Sequence, residues 1–417
     1  MPAKAVTCAL DETFPSDICL VGIETDSNFI LLEQFADKRD CDTWQQAMGK
    51  RLSALPVKVI QVVSDEAKAL IKYTREILGA HHSPDVFHVQ QDIIKGTSPS
   101  LRADIKQAKA ALILANDALQ AWIEAKIAYE QCVIKPSGRP VQYDQQIDEA
   151  AKEQSNAIDH LVEVVTRREA VQEANRGIGQ DYHPFDLETG EKKTPEKLAT
   201  QLKDHFSTID KQTEQAGLSE NSLKRVQKAR RVVDSLVHTL RFFWCQVAIM
   251  MEGFNLPDEM RPVFEGYLLP MAYIEAHLPK ARDAKQKAKR RDLYRELENQ
   301  LNGLDAWKHQ TPEQKTKLES QAKKCAQVFQ RSSSCVEGRN GQLSLKHHAS
   351  RKMSPRQLAA STVIHNYFIT RSDGTMAAER LFEQPPDNLF EWLLAKTDCP
   401  PLPAQKRSMP RKLRMVA

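Results

Sequence analysis

The chain has 417 residues, 41% of them hydrophobic and 27% charged, which is typical of a globular protein with room for two or three domains. Its formal net charge of +4 is too small to argue for nucleic-acid binding by overall charge, so the distribution of charge matters more. No apolar run of about twenty residues and no signal-peptide pattern is present, which predicts a cytoplasmic protein without a membrane span. The eight scattered cysteines contain no CxxC pair and argue against a disulfide framework or a zinc site.

The first 95 residues alternate between strand and helix patterns. β-branched apolar runs predict strands, and apolar residues at helical spacing predict the helices between them. The predicted strands cover 4–11, 18–23, 29–35, 57–63 and 85–89, and the predicted helices cover 41–54 and 65–78. Ser64 is the candidate N-cap of the second helix, and Gly79 is its stop signal. The order βββαβαβ predicts an α/β sheet of mixed direction.

Strand patterns then disappear for more than two hundred residues. Apolar residues recur at helical spacing, which predicts an all-helical domain over 96–330. A basic run from Lys280 through Arg282 to Arg291 is most simply a solvated helix face. Residues 331–398 form a further segment with a helix beginning near Ser354, and the Pro-, Lys- and Arg-rich residues 399–417 form a loose basic tail.

Three acids occupy positions that suit chemistry. Asp11 ends the first strand, Asp65 ends the fourth, and Glu337 follows the helical domain. If the first and fourth strands are neighbours, both aspartates lie at one edge of the sheet, where open α/β sheets bind ligands. Close carboxylates repel unless a cation lies between them, and an oxygen-only ligand set favours Mg²⁺ or Mn²⁺. An aspartate at a strand end is, however, also common as a helix cap.

Several short strings together resemble the DDE transposases of bacterial insertion sequences. They are Leu10-Asp11-Glu12-Thr13, Val63-Ser64-Asp65, Pro84-Asp85-Val86-Phe87-His88-Val89, Val336-Glu337-Gly338-Arg339-Asn340-Gly341, His365-Asn366-Tyr367 and Arg371-Ser372-Asp373-Gly374-Thr375 with Ala378-Glu379-Arg380. The resemblance covers most of 4–95 and 330–395. It implies a ribonuclease-H-like core, in two parts over 1–95 and 331–398, interrupted by a large helical insertion.

The resemblance also implies a reaction and its residues. Asp11, Asp65 and Glu337 match the three catalytic, metal-binding acids of the family. The implied activity is Mg²⁺- or Mn²⁺-dependent cleavage and strand transfer of double-stranded DNA at element ends and target, by a homodimer or larger assembly acting on the nucleoid in the cytoplasm. Such insertion domains present an aromatic residue to a flipped base, for which Trp122 and Trp244 are candidates, although both lie on apolar helical stretches.

Alternatives remain open at this point. Glu24 is a rival or auxiliary first acid, with Glu12 and Asp26 behind it. Because only about ten residues precede Asp11, we expect either that the helical domain recognises the element ends or that the sequence is a truncated copy. Two alternative functions are a metal-dependent nuclease of the same fold without strand transfer, and a non-catalytic helical interaction protein in which the α/β part is only a scaffold.

Overall fold

A computed structural model of the chain describes residues 3–14, 17–135, 138–281, 283–350 and 353–396. Arg282 and the predicted basic tail over 399–417 lie outside these ranges. Five strands form a mixed sheet in the order β3-β2-β1-β4-β5, which confirms the predicted mixed α/β architecture. The strands are β1 (Lys4–Thr13), β2 (Ile18–Glu24), β3 (Ile30–Ala36), β4 (Val57–Ser64) and β5 (His81–Pro84).

Strand direction determines which residues share an edge of this sheet. β1 pairs antiparallel with β2, placing Asp11 opposite Val21, and β2 pairs antiparallel with β3. β1 runs parallel to β4, and β4 runs parallel to β5. The carboxyl ends of β1, β4 and β5 therefore lie side by side at one edge, and the residues that follow them are neighbours in space.

Helices cover both faces of the sheet. Cys8 and Leu10 of β1 face α1 (Cys41–Leu52), where Trp44 and Met48 are fully buried. Ala9 of β1 points to the opposite face and packs with Val336 of α13 (Ser334–Ser350). This alternation is the two-residue period of a strand buried on both faces.

The connection after β4 differs from its prediction. Ser64 belongs to the strand and does not cap a helix. The chain bends at Asp65, whose Oδ1 accepts a hydrogen bond from the Ala67 amide at 3.1 Å. A short helix α2 (Lys68–Lys72) follows and widens into a π-helical turn over Tyr73–Ile77, which Gly79 ends with a φ of +60°.

The predicted strand over 85–89 is wrong. The fifth strand is the short polar segment His81–Pro84, and α3 (Val86–Gln131) begins directly after it. Asp85 caps this helix, because its Oδ1 accepts the Phe87 amide at 2.7 Å. A polar four-residue strand carries no hydrophobic pattern, and the apolar Val86 and Val89 belong to the buried face of the helix.

Ten helices, α3 to α12, make up the region between β5 and α13 among the described residues. After α3 they are α4 (Tyr143–Asp181), α5 (Pro195–Gln215), α6 (Glu220–Arg230), α7 (Val233–Phe254), α8 (Met260–Val263), α9 (Leu269–His277), α10 (Ala284–Gly303), α11 (Asp305–Lys308) and α12 (Pro312–Gln327), with a π-helical turn over Phe264–Leu268. We call this region the helical block. Because α3 begins at Val86, the predicted boundary at residue 95 falls inside a helix.

The helical block has a hydrophobic core at the end near the sheet, whereas its far end is a two-helix hairpin without such a core. Near the sheet, the first turns of α3 pack with the last turns of α4 and with α5 and α7 around Ile178, Leu202 and Phe243. Farther along, α3 and α4 continue as a paired hairpin whose apolar residues are largely exposed, as at Ile113 (59%) and Val162 (59%). The stretch Glu220–Phe254 is long and apolar enough to cross a membrane by length and composition alone, yet α7 packs in the core.

After the block the chain returns to the sheet. It forms α13, α14 (Pro355–Tyr367), α15 (Ala377–Phe382) and α16 (Leu389–Lys396). Ser354 and Gln357 form a capping box at the start of α14, close to the predicted helix start. α13 is absent from the predicted elements, because Gly338 and Gly341 lower its intrinsic helix propensity.

Candidate active site

Three aspartates follow the three parallel strands at the carboxyl edge of the sheet. Asp11 lies near the end of β1, Asp65 follows β4 and Asp85 follows β5. The pKa of Asp11 is raised to about 6, chiefly because the side chain is removed from water and further because the Asp65 carboxylate interacts with it. The structure therefore brings Asp11 and Asp65 together, as predicted from adjacent strand ends.

Asp85 is the most buried acid of the edge, with 2% of its surface exposed. Its Oδ1 caps α3, and its Oδ2 accepts hydrogen bonds from the amide and the hydroxyl of Ser333 at 2.8 and 2.6 Å. These donors stabilise the ionised carboxylate. They also fix the chain where it re-enters the sheet, immediately before α13.

Glu337 lies in the first turn of α13 and faces α3. Its Oε1 is 3.6 Å from Nε2 of His88, which lies in the first turn of that helix. Donor atoms of Asp85, His88 and Glu337 all lie within 4.8 Å of one another, a spacing that suits a shared metal ion. The pKa of Glu337 is raised, first by partial burial and then by the Asp85 carboxylate, and His88 opposes this shift.

Asn340 connects Asp11 to the same helix. Its Nδ2 donates to Oδ2 of Asp11 at 2.7 Å, one turn of α13 beyond Glu337. The Oδ1 of Asn340 is buried without a hydrogen-bond partner among the described residues. A buried carbonyl oxygen without a donor is energetically costly, and a bound cation or its water shell would satisfy it.

A buried ion pair fixes α13 to the sheet. Nε and Nη2 of Arg339 each donate to a carboxylate oxygen of Glu33 in β3 at 2.7 Å, and both side chains are almost completely buried. Ser361 and Thr362 of α14 complete the network by hydrogen bonds to Arg339 and Glu33. This bidentate contact sets the rotation of α13, and hence the direction in which Glu337 and Asn340 project.

The edge opens into a cavity of about 270 Å³. Asp65, Asp85 and His88 line it together with Glu66 and Asp92, and Lys95 and Lys228 supply its positive charge. Lys228 pairs with Asp92 at 2.8 Å. Asp65 and Asp85, the carboxylates nearest the strand ends, have no lysine partner among the described residues. Asp65 and Asp85 therefore border a cavity that is open to solvent.

These residues fit a divalent metal. Asp85, His88 and Glu337 offer ligand atoms within 4.8 Å of one another, and Asp11 and Asp65 stand at the neighbouring strand ends. The pKa of Asp11 is raised by its surroundings, and the orphaned Asn340 oxygen belongs to the side chain that binds Asp11. Oxygen-rich sites of this kind suit Mg²⁺ or Mn²⁺, although the imidazole also admits softer metals.

The predicted acids are therefore placed as follows. Asp11 and Asp65 interact with each other, whereas Glu337 groups with Asp85 and His88, and His88 also interacts with Asp11. The sequence assigned no role to Asp85 or His88. Once β5 is known to end at Pro84, Asp85 stands at the end of a third parallel strand, and that position is the signal that would have identified it.

The rival acids serve other parts of the fold. Glu24 is buried in the β2–β3 turn, where its carboxylate accepts hydrogen bonds from the amides of Asp26 and Ser27. Since β2 is antiparallel to β1, this turn lies at the opposite edge of the sheet. Glu12 points to the α1 face and accepts from Trp44 Nε1 at 3.2 Å.

The two tryptophan candidates differ in their surroundings. Trp244 donates its indole N–H to the Lys193 carbonyl at 3.1 Å and packs edge-on against Phe185 and Phe243. Trp122 is half-buried in the paired part of α3.

A family model described as a family of unknown function, DUF6399, matches residues 264–409. The match covers about a third of the chain, from the last part of the helical block through α13 to α16, and includes Glu337 but none of the three aspartates at the sheet edge. No curated protein and no solved structure matches the chain.

Proposed function

We propose that the chain is a metal-dependent nucleic-acid strand-cleaving and strand-transferring enzyme of the DDE transposase type. The observation that supports the proposal is that Asp11, Asp65 and Asp85 stand at three neighbouring parallel strand ends, and that Glu337, which the chain supplies from beyond the helical block, lies with Asp85 and His88. The strand order β3-β2-β1-β4-β5, with two antiparallel and two parallel pairings, further supports a ribonuclease-H-like core.

In this proposal each side chain has a defined task. Asp11, Asp65 and Glu337, with Asp85, would hold Mg²⁺ or Mn²⁺ through carboxylate oxygens. Such ions, when bound, would supply activation of a water or a 3′ hydroxyl and stabilisation of the leaving oxygen of a phosphodiester. Asn340 holds Asp11 in position, and His88, beside Glu337, would serve as a further metal ligand or as a proton acceptor.

The resemblance supplies the rest of the proposed setting. The substrate is double-stranded DNA, as element ends and target, and the active species is a homodimer or larger assembly in the nucleoid. The helical block, inserted between β5 and α13, is the part of the chain available to contact DNA beyond the scissile phosphate.

Plasmid cleavage tests the proposal. Purified protein is incubated with supercoiled plasmid in Mg²⁺, Mn²⁺ or EDTA, and nicked and linear products are quantified. We expect metal-dependent nicking that Asp65→Asn and Glu337→Gln abolish. The matched exposed variants Asp42→Asn and Glu76→Gln should retain it. Metal-independent nicking, or nicking that survives in both site variants, contradicts the proposal.

A second assay separates strand transfer from hydrolysis. A duplex with a pre-cut 3′ hydroxyl end is supplied with target plasmid and Mg²⁺, and joined products are measured. Joining supports a transposase, whereas hydrolysis without joining supports a nuclease of the same fold.

One observation favours a non-catalytic interaction protein as the second candidate. The distal α3–α4 hairpin exposes several apolar side chains, among them Leu114 (69%) and Val162 (59%). Soluble monomers rarely expose a large contiguous apolar patch unless it serves as an interaction surface. Complete absence of cleavage with any divalent metal, combined with a stable complex formed through this hairpin, would favour that function.

A further inference from the structure

A second cavity, of about 1130 Å³, lies in the helical block next to the carboxylate edge. It runs between the first turns of α3, the last turns of α4 and the start of α10, and we call it the basic cleft. The cations that carry the argument are Arg102, Arg168, Lys280, Arg290 and Arg331. Its volume exceeds the roughly 300–1,000 Å³ of ordinary small-molecule pockets, so it has room for a length of polymer.

These five cations have no carboxylate within salt-bridge distance among the residues that the structure describes, whereas Arg176 and Lys289, which also line the basic cleft, pair with Glu173 and Glu188. Arg290 is 7% exposed and donates to the His277 carbonyl at 2.8 Å, and Arg331 donates to the Gly179 carbonyl. The Nε atoms of Arg168, Arg290 and Arg331 are all buried without a hydrogen-bond partner. Burial lowers the pKa of Arg331, and the positive charge of Arg290 lowers it further.

The acids that line the basic cleft are already engaged. Asp181 pairs with Lys193 at 2.9 Å and with His205 at 2.7 Å, and Glu188 pairs with Lys289 at 3.2 Å. Arg168, Arg290 and Arg331 each bury an Nε–H donor that has no acceptor among the described residues, while Arg102 and Lys280 are exposed at the same cavity. Buried donors without an acceptor destabilise a fold, so this arrangement of cations around a cavity indicates an anionic ligand. Several separated cations along one cavity indicate a ligand with several anionic groups.

The basic cleft adjoins the carboxylate cavity. Gln91 and Lys95 line both spaces. The boundary is the first turn of α3, where Phe87 lines the basic cleft and His88, the next residue, lines the acid site. Phe87 is 47% exposed, so its ring is accessible to a ligand in the basic cleft.

We propose that the basic cleft binds a single-stranded segment of nucleic acid that leads to the carboxylate edge. Arg102, Arg168, Lys280, Arg290 and Arg331 bind its phosphates, and Phe87 stacks on a base next to the scissile position. A single strand is favoured over a duplex, because paired bases are already stacked and offer no face to Phe87. This inference rests on the proposed function for the direction of the strand, but its binding test does not require catalysis.

Fluorescence anisotropy in EDTA tests the inference with the full chain and a fluorescein-labelled 12-nucleotide oligo-dT. The triple variant Arg102→Gln/Arg168→Gln/Lys280→Gln should raise Kd at least tenfold. It should also reduce the slope of log K against log salt by about 2, since each lost phosphate contact contributes about 0.7. The matched triple variant Arg261→Gln/Arg295→Gln/Lys317→Gln removes the same charges outside the basic cleft and should leave both values nearly unchanged.

The stacking role has its own variants. Phe87→Leu should weaken binding to oligo-dT by about five- to hundredfold, and Phe87→Tyr should restore it. An abasic oligomer should bind wild type and Phe87→Leu equally, because it offers no base. Equal binding by the two triple variants, or tighter cleft-dependent binding of a 12-base-pair duplex, overturns the inference.

Asp65→Asn keeps this test separate from the proposed function. It should abolish cleavage and leave oligo-dT binding intact. If wild type binds through the basic cleft but cleaves nothing with any metal, the proposed function fails and the cleft stands. If wild type cleaves and the cleft variants bind normally, the cleft inference alone fails.

Discussion

The carboxylate edge and the basic cleft adjoin each other, have opposite charge and are built differently. The edge collects acids from four separate positions along the chain, and each is held by a strand end, a cap or a buried ion pair. The basic cleft takes its cations from α3, α4 and α10 and from two interhelical connections, and three of its arginines have a buried Nε without a hydrogen-bond partner among the described residues. An acid site that needs a cation, beside a cationic cleft that needs an anion, is the arrangement expected for metal-dependent chemistry on a polyanion.

The two regions also differ in packing. The edge is backed by a sheet buried on both faces, whereas α3 and α4 leave the core of the helical block as an exposed hairpin. α3 belongs to both regions, since its first turn carries His88 and its later turns form the hairpin. Side chains fixed by packing at the edge suit the placing of reactive atoms, and the helical block offers contact surface away from them.

The largest expected effect is on cleavage by the carboxylate edge. Asp65→Asn and Glu337→Gln should each reduce the rate of plasmid nicking by about 10³-fold or more, because under the proposed function each would remove a metal ligand that stabilises charge in the transition state. Asp42→Asn, in the exposed first turn of α1, should change the rate less than twofold. If Glu337→Gln matches that control while Asp65→Asn does not, the acid carried by α13 has no part in the site.

The next effect concerns how the edge is held together. Arg339→Met leaves Glu33 buried without its partner and should lower the free energy of unfolding by about 3–5 kcal/mol, measured by urea denaturation. Lys228→Met removes the exposed pair with Asp92 in the helical block and should cost less than about 1 kcal/mol. If both variants lowered the free energy of unfolding equally, the buried pair would not hold the sheet region more firmly than the exposed pair holds the helical block.

Metal binding should stabilise the edge and leave the basic cleft unaffected. At about a hundred times its Kd, Mg²⁺ or Mn²⁺ should stabilise wild type by about 2.7 kcal/mol, seen as a rise in Tm of several degrees. Asp65→Asn and Glu337→Gln should lose most of that rise, and the triple variant of the basic cleft should keep it. A rise of equal size in all four proteins would show that the metal binds elsewhere.

The smallest effect is a pH dependence of stability in EDTA. The pKa of Asp11 is raised from 3.8 to about 6 in the folded protein. Between these values the unfolded chain has released the proton that the folded chain keeps, so the raised pKa stabilises the fold at low pH and this contribution is lost as pH rises. The unfolding free energy of wild type minus that of Asp11→Asn should fall by about 1–2 kcal/mol between pH 4 and pH 6.5, the partial exposure limiting its size. A difference that is constant with pH, or that rises, contradicts the burial of this carboxyl.

Much of the sheet was predictable, because its strands are apolar runs long enough to be distinctive. β1 to β4 and α1 occur within a few residues of their predicted positions. β5 was misplaced, since His81-His82-Ser83-Pro84 has neither alternation nor β-branched residues and is a strand only because β4 supplies its partner. The same error hid Asp85, which was assigned to the start of a strand and not to the position just after its end.

Local sequence patterns alone placed Asp11 and Asp65 at the ends of strands. They also showed that a long helical region separates these two aspartates from Glu337. Only the tertiary structure decided that Glu337 meets Asp85 and His88, that Arg339 fixes α13 by a buried pair with Glu33, and that unpaired arginines border the acid site. Each of these contacts joins residues far apart in the chain, and their distances depend on how helices pack, which no local pattern specifies.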